Sequence, residues 1–301
     1  MGTKRRRPPS KTMRVEDGLA AKKLLIDREL ERVLSRDDSP LLRVMRYAVF
    51  PGGKRFRPLL VLSSGACFGA APHHLITFAC AIELIHNYSL VHDDLPSMDN
   101  DDFRRGKPTC HRAFGEDLAI LAGDGLLTLA FELMSAAAVP AGALGRKQEA
   151  IRTVSRSAGV DGLIGGQVLD ITLKPKSLTR PKIDELIRKK TGALICAAVE
   201  VGAIFSGARA AERRALLDYG TNIGLAFQVR DDILDSRRKK RTHIPDRPDY
   251  VLLAGKDGAG RRLKGLVRKA VGSLEEFSAR ADELRWLASS LLEPEREVSC
   301  A

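Results

Sequence analysis

An all-α chain is predicted from three observations. Apolar residues recur at three- and four-residue steps over 72–92, 116–138, 180–206 and 209–235, the period of helices with a buried face. No run alternates β-branched with polar residues as a half-buried strand requires, and there is no hairpin signal or solenoid-length repeat. Proline and glycine fall between the periodic segments, at Pro51-Gly52-Gly53, Pro72, Pro140-Ala141-Gly142, Pro175 and Pro245, where they end helices.

Taken in chain order, residues 1–14 hold Lys4, Arg5, Arg6, Arg7, Lys11 and Arg14 and no acid. They are expected to form a disordered basic tail, and 15–301 a single domain. The segments at 72–92 and 116–138 are nearly apolar all round, which suits central members of a large bundle. In 209–235, Leu216, Tyr219, Ile223, Ala226 and Ile233 form one apolar stripe. No linker divides the chain, and 301 residues suffice to bury a core without disulfides or a structural metal.

Composition narrows the function. The net charge is +12, with 44% apolar and 29% charged residues. About half of the excess lies in the tail and most of the remainder in Arg237-Arg238-Lys239-Lys240-Arg241, leaving the rest close to neutral. A uniformly basic nucleic-acid-binding domain is therefore excluded, and one Trp with 5% aromatics leaves little for base stacking. No apolar run reaches the ~20 residues of a membrane span, so no integral membrane association is expected. The basic start leads into Val15-Glu16-Asp17-Gly18 rather than an apolar stretch, which argues against export and for a cytoplasmic location; a cleaved organelle-targeting leader stays compatible. The five cysteines (Cys67, Cys80, Cys110, Cys196, Cys300) are scattered and form no paired metal motif.

Two carboxylate clusters carry the chemistry. The first is Asp93-Asp94-Leu-Pro-Ser-Met-Asp99-Asn-Asp101-Asp102, followed by Phe103-Arg104-Arg105-Gly106; the second is Gln228-Val-Arg-Asp231-Asp232-Ile-Leu-Asp235. On a helix Asp231 and Asp235 share a face, with Gln228 a turn earlier. Clustered carboxylates repel unless a cation lies among them, and hard oxygen donors with few histidines favour Mg²⁺. Basic residues complete the set. Gly52-Gly53-Lys54-Arg55-Phe56-Arg57-Pro58 places a flexible glycine turn before cations suited to a diphosphate. His86 lies two helical turns before Asp93, and Lys190-Thr191-Gly192 adds a cation, a hydroxyl and a small residue. Singly, each has a plainer reading as a surface arginine, a hydrogen-bonded buried histidine or a helix lysine. Together they describe a site.

Read in order, GGKRFRP at 52–58, DDLPSMDNDDFRRGKPTCH at 93–111, GGQVLD at 165–170, KTGAL at 190–194 and FQVRDDILD at 227–235 resemble the trans-isoprenyl (polyprenyl) diphosphate synthases, specifically the short-chain farnesyl/geranylgeranyl group. The resemblance implies an isoprenoid-synthase-type helical bundle around a deep central cavity, usually homodimeric. It implies that Asp93 and Asp99 hold two Mg²⁺ ions and Asp231 a third, bridging to an allylic diphosphate that Arg104, Lys190, Thr191 and Gln228 also contact. Lys54, Arg57, His86 and Arg105 would cradle the diphosphate of isopentenyl diphosphate. Asp94 belongs to the catalytic set, and Asp232 and Asp235 would support the metal indirectly. Gln167 and Asp170 would add polarity nearby. The implied reaction is ionisation of the allylic substrate, attack by the isopentenyl double bond and loss of a proton.

Product length is expected to follow Tyr88, the fifth residue before Asp93 and about 7.5 Å deeper on a helix, whose aromatic ring would stop the chain at farnesyl (C15). The alternatives are a geranylgeranyl synthase and a weakly active or regulatory subunit of a heteromeric synthase. A class I terpene cyclase is disfavoured, because its second wall usually carries Asn, Ser and Glu. The chain departs from the family after Asp235, where Ser236–Tyr250 is short and basic. Lys239 or Lys240, and Arg247, would replace the lysines relatives use there.

Overall fold

Each apolar-periodic segment forms helix in the computed structural model, which describes residues 11–140, 142–173, 179–238 and 249–293. The order is α1 (Lys11–Leu34), α2 (Pro40–Val49), α3 (Phe56–Ala66), α4 (Ile76–Asp93), α5 (Cys110–Phe114), α6 (Glu116–Ala136), α7 (Leu144–Ala158), α8 (Leu163–Thr172) and α9 (Arg180–Ile187). A π-helical turn over Arg188–Gly192 leads into α10 (Ala193–Phe205), followed by α11 (Ala210–Arg238), α12 (Tyr250–Gly272) and α13 (Asp282–Ser290). Residues 11–14, expected in the tail, form the first turn of α1; 1–10 lie outside the described residues.

Burial follows the sequence pattern. Helix α3 is buried over all of 56–65, and α4 and α10 are buried nearly throughout, so these three form the centre. Helix α4 packs on α3 and α6, α10 on α3, α7 and α11, and α11 on α12. Helix α1 contributes one stripe, with Leu19, Ile26, Leu30 and Val33 buried. Local chemistry sets the ends. Ser39 Oγ accepts the Leu42 amide at 3.4 Å with Pro40 opening α2, and Asp249 Oδ1 accepts the Leu252 amide at the start of α12.

Two expectations are corrected. A small hairpin exists, with Phe103 opposite Pro108 and Arg104 opposite Lys107. Its turn residues Arg105 (φ 52°) and Gly106 (φ 78°) are both left-handed, as a two-residue turn matching the strand twist requires. A ladder of two residues has no alternating run to betray it. Helix α6 is also long and apolar enough to span a bilayer, although Glu116, Asp117, Asp124 and Glu132 interrupt its apolar run. Here it packs along α4 and α2 as a bundle member.

The central helices approach closely where glycine permits. A Cβ on Gly202 of α10 would lie 2.0 Å from Ser64 Oγ and 2.5 Å from Val61 O of α3. A carbonyl inside a helix cannot move aside, so Gly202→Ala is expected to cost about 1–3 kcal/mol. Urea unfolding should show a lower midpoint with an unchanged slope.

Candidate active site

The first wall is the C-terminal end of α4 and the loop beyond it. Helix α4 ends at Asp93, and the four residues between Asp94 and Asp99 form a turn in which the Asp99 amide donates to the Asp93 carbonyl at 2.8 Å. The turn therefore returns Asp99 beside Asp93, which a continuing helix would not do at a spacing of six. Asp94, grouped with the catalytic acids by its sequence position, is buried and receives Arg104 Nε at 2.8 Å on both carboxylate oxygens. Arg104 also lies 3.6 Å from Asp101. The hairpin that presents Arg104 and Arg105 is docked onto the end of α2: Lys107 Nζ donates to the Tyr47 and Phe50 carbonyls, and Tyr47 Oη donates to Pro108 O at 2.8 Å.

The second wall is α11, where Gln228, Asp231, Asp232 and Asp235 follow each other on successive turns. Thr191 Oγ1 donates to Gln228 Oε1 at 3.0 Å, and Gln228 Nε2 donates to Asp232 Oδ1 at 3.0 Å. Asp232 Oδ2 accepts the Tyr250 amide at 2.8 Å. Thr191, Gln228 and Asp232 thus form one relay that ends on the start of α12. Tyr250 Oη in turn donates to Asp184 at 2.9 Å, where Arg262 also reaches. The helix after the shortened connection is tied to the second carboxylate wall, whatever path residues 239–248 take; Lys239, Lys240 and Arg247 lie outside the described residues.

Lys190 links α8 to the first wall. It stands in the π-helical turn, a local widening common at functional sites. Its Nζ meets Asp170 Oδ2 at 2.6 Å and lies 3.8 Å from Asp93 Oδ2. Glycines let the three supporting segments close up: a Cβ on Gly166 would lie 2.1 Å from the Lys190 amide nitrogen, and one on Gly224 2.7 Å from Gly192 Cα.

A cation cluster adjoins these acids. Burial, together with Arg57 and Arg105, holds His86 well below its ordinary range, so its imidazole is neutral and able to donate a hydrogen bond. Burial and Arg105 also lower the Arg57 guanidinium. Gathering such groups is unfavourable without an anion among them, and Arg57 Nε is buried without a hydrogen-bond partner among the described residues. Arg57 sits over the Phe227 ring (5.6 Å), and Phe56 packs on the same ring (5.2 Å), so GGKRFRP is seated on the helix of the second wall. Lys54 is exposed at the head of this segment. Tyr88 is buried on α4 with its ring against His92 and its hydroxyl unpartnered among the described residues.

The carboxylates are raised for matching reasons. Burial pushes Asp231 up to about 7 and Asp232 to about 6, with their neighbours and Asp235 adding repulsion. Burial raises Asp93 too, against the pull of Lys190 and Arg104. Among the described residues no three His, Cys, Asp or Glu side chains converge to hold an ion alone. That pattern fits Mg²⁺, which keeps waters and bridges one or two carboxylates to substrate phosphates. Asp93, Asp99 and Asp231 are the hard-oxygen donors that could hold such an ion.

A helical bundle with carboxylates at the end of α4 and on α11, a lysine between Asp170 and Asp93 and a neighbouring cation cluster has the chemistry that phosphorylated substrates require. The family follows from comparison: residues 38–243 match the polyprenyl synthetase family, and the chain belongs to it. It is 45% identical over 223 residues to farnesyl diphosphate synthase of Geobacillus stearothermophilus, covering 73% of this chain and 75% of that one. It is 47% identical over 194 residues to geranylgeranyl diphosphate synthase of Cyanophora paradoxa, covering 64% of each. The structure of an FPP/GFPP synthase from Zymomonas mobilis superposes with a TM-score of 0.85 at 36% identity, covering 93% of this chain and 99% of that one.

Sequence reasoning overlooked Arg55, Glu83, Phe227 and Tyr250. Glu83 did leave a signal, as the one acid within the apolar run 76–92.

The raised Asp231 and Asp232 have a consequence for stability. A carboxyl whose folded pKa exceeds its ordinary 3.8 stabilises the fold at low pH and loses that contribution as pH rises through 6–7. A cation paired with the ionised groups restores it. Mg²⁺ should therefore raise the melting temperature more at pH 8 than at pH 5, and Asp231→Asn should remove most of that difference, as read by differential scanning fluorimetry.

Proposed function

We propose that this protein condenses isopentenyl diphosphate with allylic diphosphates (dimethylallyl, then geranyl) and releases farnesyl diphosphate as its main product. The observation that carries the reading is Lys190 spanning from Asp170 toward Asp93 beside a cluster of Arg57, His86 and Arg105. This arrangement suits two diphosphates held side by side.

In this reading Lys190 and Arg104 take up charge as the allylic C–O bond breaks, and Thr191 and Gln228 orient the departing diphosphate. Asp94 holds Arg104 in place. Asp93, Asp99 and Asp231 would hold Mg²⁺, with Asp232 and Asp235 in support, and the bound ion would supply the remaining positive charge. Lys54, Arg57, neutral His86 and Arg105 hold isopentenyl diphosphate so that its double bond meets the allylic carbon. The proton lost afterwards passes to the released pyrophosphate. No side chain acts as nucleophile, and the apolar helices keep water from the carbocation.

A homodimer belongs to the same proposal. Helix α6 is apolar yet leaves Ile120 (44%) and Leu121 (54%) exposed, a surface a second copy would cover. The free thiols Cys67, Cys80, Cys110 and Cys196 suit a reducing cytoplasm. A geranylgeranyl product is the second reading, favoured by the likeness to the Cyanophora protein.

Incubation with isopentenyl diphosphate and each of dimethylallyl, geranyl and farnesyl diphosphate, followed by sizing of the products, tests the assignment. C15 should dominate, and EDTA or Asp93→Ala should cut turnover by at least about a hundredfold. Activity that survives either treatment would overturn the mechanism. Tyr88→Ala should shift products toward C20 by opening the space below Asp93; an unchanged product profile would remove Tyr88 from chain-length control.

A further inference from the structure

Arg55 stands in sequence between Lys54 and Arg57, two of the residues assigned to isopentenyl diphosphate, yet its side chain is fully buried. Every edge of its guanidinium is engaged. Nε donates to Asp27 Oδ1 of α1 at 2.8 Å, Nη1 to Glu83 Oε1 of α4 at 2.8 Å, and Nη2 to the Val49 carbonyl at the end of α2 at 3.1 Å. The Phe50 ring lies 5.2 Å from the guanidinium carbon. The backbone of Arg55 is left-handed (φ 50°, ψ 38°), uncommon for a residue with a Cβ. This residue is also the N-cap position of α3, whose first turn carries Arg57.

Gly52 is part of the same device. Neither Gly52 nor Gly53 has a positive φ, so the pair is not the flexible turn its sequence suggests. Instead a Cβ on Gly52 would lie 2.1 Å from the Arg55 guanidinium carbon and from Nη2; glycine is needed because the loop closes directly over the buried group. Glu83 extends the arrangement toward the substrate. Its carbonyl accepts Asn87 Nδ2 at 2.8 Å one turn along α4, the turn that holds His86, and its charge acts on both Arg57 and Arg105.

We propose that Arg55, clamped by Asp27, Glu83 and the Val49 carbonyl beneath Gly52, is the positioning residue of the isopentenyl diphosphate site. It sets the backbone from which Lys54 and Arg57 reach the diphosphate, without touching the substrate. The proposal rests on the assignment of Arg57 and its neighbours to that substrate. A merely structural ion pair is a poor account of it, since buried charge pairs give little net stability over apolar replacements, whereas a bidentate, directional fork fixes geometry.

The test compares Arg55→Lys, Glu83→Gln, Gly52→Ala and Arg57→Ala by steady-state kinetics in both substrates, with melting temperatures. Arg55→Lys keeps the charge and loses the fork, and Gly52→Ala displaces the fork without altering any charge. Each should raise KM for isopentenyl diphosphate by about tenfold or more while KM for geranyl diphosphate stays within about twofold. Equal rises in both KM values, no rise in either, or failure of all three loop variants to fold would overturn the proposal, the last by reducing the cluster to a folding element. If Arg57→Ala leaves KM for isopentenyl diphosphate unchanged, the substrate assignment itself falls. If Arg57→Ala raises it and Arg55→Lys does not, only the positioning role is lost.

Discussion

Asp93 and Asp99 stand at the end of α4 while Asp231, Asp232 and Asp235 stand on α11, and the rest of the molecule is arranged to hold these mutually repelling acids in place. The scaffold meets that cost with the most deeply buried helices of the bundle, α3, α4 and α10. Repulsion is managed in part by giving several of these acids and their neighbours partners within the chain.

This pairing is visible in the contacts. Asp94 is neutralised by Arg104, Asp170 by Lys190, and Asp232 is tied through Gln228 and the Tyr250 amide. Asp231 lies 3.9 Å from Arg230, with a further pull from Arg57, and burial leaves it easier to protonate than Asp232. Buried ion pairs give little net stability over apolar replacements, so these links matter less for stability than for direction. They aim side chains. The same logic governs the cations, where a buried Arg55 is satisfied on every edge while the charges of Arg57 and Arg105 both act on a neutral His86.

Much of this was readable beforehand because helical periodicity and carboxylate spacing are local properties. The segments at 116–138 and 209–235 gave helices within a few residues of their patterns, and the second acid cluster lies on a helix as its spacing implied. The hairpin at 103–108 was not legible, since two residues per strand carry no period. Nor was Gly52, whose role depends on the Arg55 guanidinium packed beneath it rather than on its own torsions.

The sequence by itself determined the class of fold, the inventory of reactive groups and the family, all of which depend on residue types and on spacing along the chain. Only the tertiary structure decided which groups meet. It assigned Asp94 to Arg104, made Arg55 a buried anchor between Lys54 and Arg57, and linked Asp232 to the helix beyond the divergent connection. Those choices depend on contacts between segments far apart in sequence, such as residues 27, 55 and 83. Pairing of that kind is set by how helices pack, and no local pattern encodes it.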